Sequence, residues 1–137
     1  MKKHERILER RRIFKQELLR PLMAMMYYEI KAKALKAKER RPPNHPEDLL
    51  LEKLTLLSES FHDFLQSHEF THHEKLSEEL MEKLMGLKKA IRELGSYYEL
   101  HPEKPELFDA LPRGATQMRR EIEKFSAFEK RNEAYSE

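Results

Sequence analysis

Leu76, Leu80, Leu84, Leu87, Ile91 and Leu94 recur at steps of three and four residues, the spacing that lines one side of an α-helix. A helix with such a stripe has to bury it against other elements. Upstream, Leu50, Leu54, Leu57, Phe61 and Phe64 repeat in the same way. The stretch from Ser60 to Leu76 therefore reads as a corner between two helices. In it, Thr71 and Glu74 have the form of a capping box, whose hydroxyl and carboxylate each accept a backbone N–H left without an intrahelical partner.

Reading outward from the corner gives the rest of the chain. A first helix is expected from near Lys3 to about Lys38, with Ile7, Phe14, Leu18, Leu22 and Met25 on its inward stripe. Pro21 interrupts it and predicts a kink or two abutting helices, because proline removes one backbone bond and presses on the preceding turn. Beyond Ile30 the run K-A-K-A-L-K-A-K-E-R-R has few apolar residues and is expected to project into solvent. Pro42, Pro43 and Pro46 break the chain. Asn44 or His45 can then cap a second helix, with Pro46 in its first turn and Glu47 and Asp48 near its positive end, reaching about Ser67. The third helix spans about His72 to Leu100, and Gly86 on it suggests a close helix crossing. Glu103 to Leu111 reads as a short helix ended by Pro112-Arg113-Gly114. A last helix starts at Ala115 and carries Met118, Ile122, Phe125 and Phe128. The expected fold is all-α: one domain over residues 1–137, an antiparallel four-helix bundle with a kinked long first helix and a short extra helix before the last.

Composition narrows the function. Charged residues make up 38% of the chain and glycines number three, which suits amphipathic helices and argues against an all-β or disordered chain. There is no cysteine, so disulfides, thiol nucleophiles and cysteine-based zinc sites are excluded. No apolar run approaches the roughly 20 residues needed to span a bilayer, and the start has no leader-like core; a cytoplasmic protein is expected. The 27 basic and 25 acidic residues nearly cancel, but their distribution suggests a basic N-terminal arm and an acidic middle from Glu47 to Glu82.

Three groups of residues are candidates for a site. The outer side of the second helix should hold Leu49, Glu52, Leu56, Glu59, Asp63 and Gln66, a mix of acids and exposed leucines that suits a protein-binding patch. A solvated face with single leucines, covered by the short helix near Leu107, is the alternative. His68 and His72 have the four-residue spacing of helical metal ligands, as do Glu69 and His73, but the corner breaks their common face. They are weak metal candidates, and no metal or cofactor is expected. The basic segment 31–41, with Lys31, Lys33, Lys36, Lys38, Arg40 and Arg41, could neutralise phosphates of a nucleic acid; Tyr27 and Tyr28 at its start are expected in the core. No nucleophile motif, phosphate loop or H-E-x-x-H is present. Arg40 and His45 have an R-x4-H spacing, but Pro42 and Pro43 lie between them, and an enzyme is not expected.

The corner S-F-H-D-F-L-Q-S-H-E-F-T-H-H-E resembles the hallmark S-L-V-D-Y-L-S-A-G-H-F-x-x-Y-E of the Rsd/AlgQ family of sigma-factor-binding bacterial transcription regulators. Ser60, Asp63, Leu65, Phe70 and Glu74 match, with Phe64 in place of the tyrosine. Weaker echoes are Arg10 with Leu18 and Leu19, and Ile122-Glu123 and Phe128-Glu129 in the last helix. The family's Gly-His pair is His68-Glu69 here, its second tyrosine is His73, and its acid after the last L-E is Lys130. The resemblance implies a helical bundle with no chemistry of its own, which grips the C-terminal, promoter-recognising domain of the primary sigma factor of RNA polymerase. The family aspartate important for that contact corresponds to Asp63, and Phe70 falls in the same motif. Rival expectations are a helical binding module for another protein on the same face, or a nucleic-acid binder using residues 31–41.

Overall fold

The structure is a computed structural model that describes residues 3–40, 46–67, 76–101 and 110–133. The first helical run is α1 (Lys3–Arg12), a π-helical segment (Ile13–Leu19) and α2 (Arg20–Arg40); α3 (Pro46–Gln66), α4 (Leu76–Leu100) and α5 (Ala110–Glu133) follow. Every described element is helical.

Pro21 does not end the first run. The π-helical segment lies directly before it and closes with the Arg20 N–H donating to the Lys15 carbonyl, five residues back. In an α-helix Pro21 would leave a carbonyl without its donor and press its ring on the turn below. Here those defects fall where α-type bonding has already been given up.

The π-helical segment also changes which residues face inward. The expected stripe Phe14, Leu18, Leu22, Met25 is replaced after Phe14 by Leu19, Met23, Met26 and Ile30, all buried, while Leu18 is 42% and Met25 73% exposed. Each buried position lies one residue later than an uninterrupted α-helix would place it. A wider turn takes up an extra residue, so everything beyond it rotates by one position.

α2 packs along α3, α3 on α4, and α4 on α5. Along the α2–α3 seam the sequence positions run in opposite senses, with Lys38 and Asp48 lining one cleft and Tyr27 stacked on His62 further along. The core is filled by the α4 stripe from Leu76 to Leu94, by Leu51, Leu54, Phe61 and Leu65 of α3, and by Leu111, Met118 and Ile122 of α5. Phe14 and Phe125 stack at 4.2 Å to tie the π-helical segment to α5.

Several other expectations need correction. Pro112-Arg113-Gly114 ends no helix; these residues form the first turns of α5, where a proline costs little because its missing N–H would have no partner anyway. The proposed short helix lies outside the described residues apart from Ala110 and Leu111, which belong to α5. The close crossing is at Gly114, where a Cβ would stand 3.0 Å from Met26 Sδ, and not at Gly86, where it would meet nothing within 4 Å. The end of α2 does not project into solvent, since Ala37 is buried and Ala34 packs against the core; alanines let α3 come close. Tyr28 is 62% exposed and so is not a core residue.

Candidate protein-binding face

The orientation of α3 is fixed at both ends. Near its start Glu47 is buried and accepts a hydrogen bond of 3.0 Å from the Tyr98 hydroxyl of α4. At its far end the Ser67 carbonyl accepts from Lys15 Nζ at 2.9 Å and from Gln16 Nε2 at 3.2 Å, positive and polar donors at the negative end of a helix. Lys15 is fully buried, with its ammonium 4.3 Å from the centre of the Phe64 ring. Beyond the corner, Glu129 of α5 accepts the Ser77 N–H at 2.9 Å at the start of α4 and pairs with Arg11 at 3.0 Å. The expected basic arm is thus built into the structure, with Arg11 and Lys15 buried. Arg12 is held by Glu9, whose carboxyl is kept below its usual pKa by the hydrogen bond from that guanidinium.

With the inward side of α3 fixed by Leu51, Leu54, Phe61 and Leu65, the opposite side is presented outward. Leu49, Glu52, Leu56, Glu59, Asp63 and Gln66 are all exposed, and Leu49 and Leu56 expose 59% and 61% of their surface. Spacings of three and four place them in one row. Beside this row, Lys31, Leu35 and Lys38 of α2 face Asp48, Glu52 and Leu56 of α3 across a cleft of about 190 Å³. Leu35 is 60% exposed. The result is an apolar centre of Leu35 and Leu56 with lysines along one edge and carboxylates along the other.

Tyr27 and His62 stack at 5.1 Å, and His62 is buried. Phe70 and the metal candidates His68 and His72 lie outside the described residues. Among the described residues no group of three or more His, Asp or Glu side chains could hold a metal ion, and no helix is long and apolar enough to cross a membrane. Of the basic segment, Lys31, Lys36 and Lys38 are exposed, while Lys33 is paired with Glu29 at 2.8 Å.

No family model, curated protein or solved structure matches the chain. Its own residues therefore carry the functional reading. Sequence periodicity placed the α3 row outward and left Leu35 in solvent, but it put Tyr28 in the core, because the pattern of α2 is shifted by the π-helical segment. Lys15, Gln16, Arg11 and Glu129 were also missed as positioning residues. Glu129 stood in the last-helix echo of the family pattern, and Lys15 only in a basic run.

Proposed function

We propose that this chain is a non-enzymatic, cytoplasmic transcription regulator, an antiparallel four-helix bundle that binds the C-terminal promoter-recognition domain of the primary sigma factor through the outer face of α3. The observation that carries the reading is the exposed row Leu49, Glu52, Leu56, Glu59 and Asp63. Its leucines offer area that gains by leaving water, and its acids complement a basic DNA-binding domain in charge. The corner resemblance supplies the partner, with Asp63 as the polar anchor and Phe70 in the same sequence motif. A nucleic acid is the weaker partner, because carboxylates of Asp48 and Glu52 line the same cleft as Lys31 and Lys38 and would repel phosphates.

The test is a titration of the isolated sigma C-terminal domain with wild type, Asp63→Ala and Leu56→Ala. Each substitution is expected to cost about 1 to 2 kcal/mol of binding if its side chain is a hot spot, without loss of helicity. Wild-type protein that is folded yet does not bind would end the sigma reading and leave a bundle serving another protein partner. Binding that Asp63→Ala and Leu56→Ala both leave unchanged would move the contact off this face.

A further inference from the structure

Leu18, Pro21, Met25, Tyr28, Ala32 and Leu35 follow one another at alternating steps of three and four, and all six are exposed. That is the a/d spacing of a coiled-coil seam. The seam lies on the side of α2 away from Leu19, Met23, Met26 and Ile30, which are already buried in the bundle. A solvated helix face carries charged and polar residues, whereas this one has none for 18 residues along its line. Met25 and Tyr28 at its middle are 73% and 62% exposed.

We propose that this seam pairs antiparallel with the same seam of a second copy of the chain. The order of its residues selects the occupant. About a twofold axis between Met26 and Tyr27, Leu18 of one copy meets Leu35 of the other, Pro21 meets Ala32, and Met25 meets Tyr28. Every layer then joins apolar side chains, and the operation closes at two copies, as an isologous interface must. The flanking charges agree. Glu17 and Lys38, both exposed, flank the seam on one side at its two ends, so the antiparallel arrangement sets Glu17 beside Lys38 of the second copy twice. Lys31 then stands opposite Ala24. A parallel pair would instead set Lys31 of each copy beside the exposed Lys36 of the other, like charges that destabilise such a pair. This pairing does not rest on the sigma-binding reading: the two surfaces share the cleft edge at Leu35, but the α3 row from Leu49 to Asp63 is no part of the seam.

Because the chain has no cysteine, introduced thiols report the arrangement directly. Leu18→Cys and Leu35→Cys variants of the full chain, mixed under mild oxidation, are expected to form disulfide-linked dimers. Either variant alone should form none, since like positions would lie roughly 25 Å apart along the helix at 1.5 Å per residue, beyond the reach of a disulfide. By light scattering, wild type is expected at twice the 16.6 kDa of one chain at micromolar concentrations, and Met25→Glu at the single-chain mass with an unchanged circular dichroism spectrum. A monomeric wild type, a dimer that survives Met25→Glu, or single variants that cross-link as well as the mixture would each overturn the proposal. Asp63→Ala should stay dimeric while losing sigma binding, which separates failure of one reading from failure of the other.

Discussion

Deleting Glu17 tests whether the π-helical segment sets the register of α2. Glu17 is exposed within Ile13–Leu19, and its 3.5 Å ion pair with Arg12 is a surface contact of small value. Its removal leaves Phe14 and Leu19 at ordinary α spacing, so Met23, Met26 and Ile30 keep their places in the core. The expected cost is that of Pro21 inside a now regular α-helix, about 3 kcal/mol, and adding Pro21→Ala should recover most of it. Deleting Met25, an equally exposed residue, has a different consequence. Everything beyond it turns by about 100°, and Tyr27, Lys31 and Lys38 take the positions of Met26, Ile30 and Ala37. Loss of Met26 and Ile30 burial alone costs roughly 3 to 6 kcal/mol at about 1.5 to 3 per side chain, before two lysines are pressed against apolar neighbours. That approaches the whole stability of a small domain, about 5 to 15 kcal/mol. Urea unfolding followed by far-ultraviolet circular dichroism distinguishes the two deletions. If the Glu17 deletion with Pro21→Ala is as unstable as the Met25 deletion, the π-helical segment does not set the register.

Three further outcomes are expected in the same assay. Gly86→Ala should stabilise by about 1 kcal/mol, the helix-propensity difference, because a Cβ there meets nothing; Gly114→Leu should destabilise by about 1 to 3 kcal/mol through overpacking on Met26. Leu84→Ala, at a fully buried position, should cost about 2 to 5 kcal/mol, whereas Leu56→Ala, 61% exposed, should leave stability within about 0.5 kcal/mol. Tyr98→Phe removes the hydrogen bond to the Glu47 carboxylate and should lower stability by about 1.5 to 3 kcal/mol, the range for bonds to charged groups.

The legible parts of the fold are those where one pattern runs without interruption. The α4 stripe Leu76, Leu80, Leu84, Leu87, Ile91, Leu94 is buried as its spacing implies, and the α3 row from Leu49 to Asp63 is exposed for the same reason. On α3 the inward side turned slightly: Leu51 is buried where Leu50 was expected, and Ser58 and His62 are buried with it. Ser58 is admitted because its hydroxyl donates to the Thr55 carbonyl at 2.9 Å, and His62 because Tyr27 stacks on it. Neither neighbour is visible in a one-dimensional pattern that sorts residues only as apolar or polar.

Local rules also misread residues with two roles. Pro112 looked like a stop and is a start, because a helix's first turn has no use for the N–H that proline lacks. Arg11 and Lys15 looked like a solvated basic arm. They are buried because Glu129 and the Ser67 carbonyl, over fifty residues away from Lys15 in the latter case, are there to receive them.

By itself, the sequence determined that the described chain is helical, where α3 and α4 run, and which side of each is apolar, because spacing along a helix maps directly onto its faces. The tertiary structure alone decided the register of α2 and the pairing of distant charges. A π-helical turn rotates all that follows by one residue at small local cost, and only packing against α3 and α5 selects that rotation. It places Leu19, Met23 and Met26 in the core and turns Leu18, Met25 and Tyr28 outward to form a second apolar seam.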